Sequence, residues 1–158
     1  MEQNEIKAVV ERAKLQLAEI YDGDPWVTEN LNVRVFSLKG SQALKKVKGH
    51  NHSVAQLLGH ITAWRNFVLQ KLTGNNDYDI KDESPVNWPE PNDWDVICSE
   101  FKKCHVKLLS AVENFPSDRW DSLVPGRNYS FLYLIAGIVQ HDYYHYGQIG
   151  SVLAALKN

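Results

Sequence analysis

The sequence predicts an all-α domain, arranged as a four-helix bundle with long crossover connections. Four segments carry apolar residues at the three-and-four spacing of an amphipathic helix. No stretch sustains period-two alternation, apart from the short run Leu31-Asn32-Val33-Arg34-Val35-Phe36. Two connections, 22–52 and 75–92, are long for a compact domain and read as crossovers or functional loops rather than tight links between antiparallel neighbours. At 158 residues the chain has the size of one domain, taken as 1–158.

The first helix is expected from about residue 2 to 21, with Ile6, Val9, Val10, Ala13, Leu17 and Ile20 on one apolar stripe and Gly23 and Pro25 ending it. In the connection that follows, a short helix is expected around 41–47. Lys39, Lys45, Lys46 and Lys48 there read as a solvated face, with an anion contact as the alternative. The second long helix opens at Ser53, which has capping-box spacing to Gln56, and continues to Leu72 before Gly74. The segment 75–92 holds Pro85, Trp88, Pro89 and Pro91 and reads as irregular. Asp93 announces a third helix whose face runs Trp94, Ile97, Phe101, His105, Leu108, Val112 up to Pro116. The fourth runs from about Ser130 to Leu156. Its second apolar stripe, Leu132, Ala136, Val139, Tyr143 and Gly150, suggests cover on both sides, one of them a second subunit.

Composition excludes several functions. Apolar residues make up 44% and charged residues 23%, far from the disordered corner of composition. A net charge of −2 gives no global positive field for a phosphate backbone, so no nucleic-acid partner is expected. The longest uninterrupted apolar stretch, 131–139, is about half of the roughly 20 residues that cross a bilayer, so no membrane span is expected. The start, Met1-Glu2-Gln3-Asn4-Glu5, is polar and acidic rather than signal-like, and a cytoplasmic location follows as an expectation. Cys98 and Cys104 are six apart, about 240° on a helix, which prevents a bridge within it and leaves two reduced, buried thiols.

Chemistry concentrates in the six histidines. His141 and His145 are four apart in the fourth helix, about 40° from one another on the wheel, so both rings can reach one ion. They interrupt the apolar stripe of Leu134, Ile138 and Val152, and buried imidazoles need polar partners. His60 has Leu57, Trp64 and Phe67 around it and also points inward. Three such rings make either a three-nitrogen metal site with a position open for water or substrate, or a set of hydrogen-bonded core histidines. His105 lies on an apolar face as well. It reads as a core histidine, with a fourth ligand as the alternative. His50 and His52 precede the second long helix and read as turn residues. Asp142 takes the place of the Glu in His-Glu-x-x-His but lies about 100° round the helix from His141, flanking the site. Nothing fixes a general base. Trp26, Trp64, Trp88 and Tyr144 are candidate pocket walls, with core packing as the alternative. Gln148, on the ligand face, either holds a ring or metal-bound group or packs between helices.

In order, these features resemble the DinB/YfiT-like superfamily of metal-binding four-helix bundles. The resemblance lies in Asp24-Pro25-Trp26, in His52-Ser53-Val54 leading to Leu57-Leu58-Gly59-His60-Ile61-Thr62-Ala63-Trp64-Arg65, and in Val124-Pro125-Gly126. It is strongest in Gln140-His141-Asp142-Tyr143-Tyr144-His145-Tyr146-Gly147-Gln148-Ile149. It implies a divalent metal, Zn or Ni, on His60, His141 and His145, and a homodimer. It also implies a small-molecule substrate, with thiol-dependent S-transferase chemistry that uses a low-molecular-weight thiol on a small electrophile. The rival expectations are a metal-dependent hydrolase, a non-catalytic metal-binding bundle linked to stress, and a metal-free bundle. Family membership speaks for the site more than for the reaction.

Overall fold

The computed structural model describes residues 2–27 and 29–157 and is all-α: four long helices form a bundle, with two one-turn helices and a 3-10 turn in the connections. Helix α1, Gln3–Tyr21, opens where Glu2 and Glu5 satisfy one another's backbone amides. It buries Ile6, Val10, Ala13, Leu17 and Ile20. Val9, expected on that stripe, is exposed: it stands about 100° round from Val10 and looks past the neighbouring helices.

The alternation at 31–36 is not extended chain. Asn30 accepts a hydrogen bond from the Val33 amide at 3.0 Å and caps helix α2, Leu31–Arg34, so that Leu31 and Val35, four apart, are the residues buried. Helix α3, Gly40–Ala43, is one turn, shorter than the 41–47 expected. Helix α4, Val54–Leu72, carries the capping box: the Gln56 amide donates to Ser53 Oγ at 3.2 Å and the Ser53 amide to Gln56 Oε1 at 3.1 Å. Gly74, at φ +89°, supplies the left-handed turn that ends it. Helix α5, Trp94–Asn114, is capped by Asp93, and its first residue ties down the 22–52 connection through an indole hydrogen bond to the Leu38 carbonyl at 3.0 Å. Helix α6, Phe131–Leu156, opens on a Ser130 cap and has 26 residues, about 39 Å of axis.

Helix α4 packs against α5 and α6, and α1 against α6 and α5. One part of the core gathers Phe67, Leu108, Phe131 and Ile135, and a second gathers Leu58, Phe101, Tyr146 and Ile149. The second stripe of α6 is covered from within the chain. Leu132 and Val139 join the cluster built by Ile6, Val10, Ala13 and Leu17 of α1, Tyr143 lies beside Glu19 and Arg12, and Arg34 fills the space at Gly150. The surface that the sequence left open to a second subunit therefore belongs to α1, whose own stripe needs an apolar partner. No described helix is long and apolar enough to cross a membrane. Cys98 and Cys104 are free thiols, pushed up to about 11 by burial, which leaves them mostly protonated and unreactive near neutral pH.

Candidate metal centre

Helices α4 and α6 face one another across the bundle, and their inward stripes bring His60, His141 and His145 together. The nitrogens that the three rings offer lie within 4.8 Å of one another, with His141 Nε2 3.1 Å from His60 Nε2. Ligand nitrogens about 2.1 Å from a tetrahedral zinc are about 3.4 Å apart, a value that these separations bracket. His60 and His145 are buried, and His141 keeps 23% of its side chain exposed.

Hydrogen bonds fix how the rings present themselves. His60 Nδ1 is 2.6 Å from the Asn87 carbonyl oxygen, which only accepts, so the proton sits on Nδ1 and the Nε2 lone pair faces the cluster. Gln148 does the same for His145: its Oε1 is 2.7 Å from His145 Nδ1, while its Nε2 donates to the Tyr144 hydroxyl at 3.1 Å. Burial lowers His60 to about 4, against the pull of the Asn87 bond, and burial also lowers His145, against the pull of Gln148. Both rings are therefore neutral near pH 7, the form that binds metal.

The third ring shows why the group suits a cation. His141 Nδ1 and Asp142 Oδ1 are buried 3.8 Å apart, and neither has a hydrogen-bond partner among the described residues. With Nε2 given to a cation, His141 carries its proton on Nδ1, on the side of that carboxylate, which is the usual arrangement behind a ligating histidine. An all-imidazole donor set suits zinc, nickel, copper or iron better than magnesium or calcium.

Beneath the cluster, Arg65 of α4 and Asp142 of α6 form a buried ion pair, 0% and 1% exposed, with Nε and Nη2 each 2.7 Å from Oδ2. Arg65 Nη1 donates to His105 Nδ1 at 2.8 Å, so His105 is a satisfied core histidine and not a fourth member of the cluster. Asp142 flanks the site with its charge already engaged.

The irregular segment 75–92 closes the other side. Trp88 stacks on His60, with ring centres 3.8 Å apart and planes 8° from parallel, and on its far face stacks on His52 at 3.7 Å. Asn87 accepts a hydrogen bond from His60 Nδ1–H on its backbone carbonyl and one from the Trp64 indole N–H on its side-chain oxygen at 3.0 Å. Trp64 stands 5.7 Å from His141 between ring centres, over a cavity of about 220 Å³ that His141 also lines.

Among the expected pocket residues, Trp64, Trp88, Tyr144 and Gln148 therefore touch the cluster or its immediate partners. Tyr144 does so from outside: it is largely exposed, with its ring edge-on to His145 at 4.9 Å. Trp26 does not fit a pocket wall. It is 97% exposed, because in the connection after α1 Pro25 is the residue turned inward, while Asp24, Trp26 and Val27 are left at the surface. Arg65 and Asn87 escaped the sequence reading. Arg65 had a visible signal, since it lies four residues after Ile61 and three before Val68 on a buried stripe, where a charge demands a partner. Asn87 acts through its backbone carbonyl, which no residue type encodes.

A family model described as the DinB superfamily matches residues 26–149, most of the chain and all three clustered histidines. Comparison with curated proteins gives no match, and comparison with solved structures gives none.

Proposed function

The chain belongs to the DinB superfamily, and from that premise we propose that it is a metal-dependent enzyme whose His60, His141 and His145 hold a divalent cation, Zn or Ni, for thiol transfer to a small electrophile. The observation that carries the reading is the three-imidazole cluster with its outward nitrogens anchored. Asn87 and Gln148 accept hydrogen bonds from the Nδ1–H groups of two rings, and an unpaired carboxylate oxygen lies beside the third. A divalent cation held there lowers the pKa of a coordinated thiol enough to keep it as thiolate. The protein's own groups set the geometry: Trp88 covers one face of His60, and Arg65 fixes the carboxylate behind His141.

Asp142, the carboxylate beside the cluster, is paired with Arg65 through Oδ2, and a thiol is taken over water as the nucleophile on the family resemblance. In the overall reaction the thiol sulfur forms a bond to the electrophilic carbon. The leaving group departs with its electron pair, and the thiol proton passes to solvent. A homodimer belongs to the same proposal on the family resemblance alone.

The test is metal content of protein purified without a histidine tag, beside the His141→Ala/His145→Ala double variant. One Zn or Ni per chain, absent from the variant, is the expected result. It is to be followed by consumption of an alkyl or aryl halide that depends on glutathione or another small thiol. No metal in either protein, even after reconstitution, overturns the reading. Turnover of an ester without thiol moves the assignment to a hydrolase.

A further inference from the structure

The cavity beside His141 lies between α4 and α6, and its walls are Trp64, Phe67, Tyr129, Tyr133 and the backbone at Gly137, with His141 at one end. We propose that it is the subsite for the apolar, aryl-sized group of a neutral electrophile, whose reactive carbon then lies at the histidine cluster. The inference rests on the metal-site reading above and adds the class of substrate.

Size and polarity point the same way. The hollow opens to solvent beside the exposed Tyr133, and at about 220 Å³ it has room for a phenyl ring with a short substituent. No charged side chain lines it. Trp64 turns its indole N–H away to the Asn87 side chain and offers the cavity only its ring face and edge. Arg127, whose guanidinium lies 5.6 Å from the centre of the Phe67 ring, is already paired with Asp79. A carboxylate or ammonium placed here finds no opposite charge among the lining side chains, whereas an aromatic ring meets Trp64 and Phe67, themselves edge-to-face at 5.5 Å, and Tyr129 with Tyr133, also 5.5 Å apart. His141 is the lining residue that belongs to the histidine cluster, so an occupant whose reactive end reaches the cluster leaves its apolar group among Trp64, Phe67 and Tyr129.

Gly137 controls the volume. A Cβ built on it meets no other heavy atom within 4 Å, so a side chain there has open space to enter. Gly137→Phe is the blocking variant, and Gly137→Ala the variant that leaves most of the cavity.

The experiment is fluorine NMR of 4-fluorobenzyl alcohol with the full chain, metal-free and zinc-loaded, with 4-fluorobenzoate as the charged comparison. Saturable binding of the alcohol to both forms is expected, at least tenfold weaker for the benzoate and at least tenfold weaker in Gly137→Phe, with Gly137→Ala near wild type. Intermolecular Overhauser contacts from the bound alcohol to the Trp64 and Tyr129 rings in the wild-type protein provide a readout that needs no variant. Equal binding of alcohol and benzoate, absence of saturable binding, or contacts to other residues overturns the proposal. Binding to the metal-free form separates the two readings. A protein that takes no metal but binds the alcohol here keeps the subsite and loses the metal function, and one that takes metal but leaves this cavity empty does the reverse.

Discussion

Arg65 is a fully buried cation, held between the Asp142 carboxylate and the His105 ring and lying 4.7 Å from the centre of the Phe101 ring. A buried pair of this kind adds little net stability over an apolar replacement, but removal of one partner leaves an uncompensated charge in the interior. Arg65→Met should therefore cost about 3–5 kcal/mol of unfolding free energy. The double variant Arg65→Met/Asp142→Leu should cost clearly less than the sum of the two single changes. Urea unfolding of the metal-free proteins measures both. Additive single effects would mean that Asp142 does not depend on Arg65 for its charge.

At the scale of elements, α4 and the crossover that follows it act together on His60. Gly59 lets them meet: a Cβ there falls 2.9 Å from Pro89 Cγ, so any side chain pushes residues 87–89 away from the helix. In Gly59→Ala two effects oppose one another. Alanine favours the helix by about 1 kcal/mol, while displaced residues 87–88 loosen the carbonyl and the indole that hold the His60 ring. The expected outcome is a small change in the urea midpoint of the metal-free protein and a clear loss of zinc affinity, read by competition with a chelator. Gly147→Ala provides the comparison, because a Cβ on exposed Gly147 meets nothing within 4 Å. It should gain up to about 1 kcal/mol and leave zinc affinity alone.

For the molecule as a whole, four histidines, His52, His60, His105 and His145, are held below their ordinary range by burial, His60 and His105 down to about 4. The guanidinium of Arg65 adds to the effect at His105. In the unfolded chain the same rings take up protons near pH 6.5, so between about 6.5 and 4 the unfolded state binds more protons than the metal-free native state. Stability is then full above about pH 6.5 and falls as the pH drops toward 4, by up to about 1.4 kcal/mol per pH unit for each of His60 and His105. Urea unfolding of metal-free protein at pH 7, 6 and 5 should show this slope. His105→Gln, which keeps an acceptor for Arg65, should reduce it by about one proton. A slope of opposite sign would mean that the native rings are protonated.

The sequence by itself determined the four long helices, the caps at Ser53 and Asp93 and the three inward histidines, and it favoured a core role for His105. These follow from local rules: helical periodicity, side-chain capping of free amides, and the four-residue spacing that puts two rings on one face. Other features needed the third dimension. The one-turn helix at Leu31–Arg34 looked like alternation because four residues are too few to separate the two periods. The position of Trp26 on the surface, the closure of the second α6 stripe by α1, and the grip of Asn87 and Trp88 on His60 depend on where long connections land. Loop paths are set by packing between segments distant in sequence, and a backbone carbonyl carries no signature in the residue that bears it. The tertiary structure alone also decided that Arg65, Asp142 and His105 form one buried network, since each is legible separately only as a polar residue on an apolar face that requires a partner.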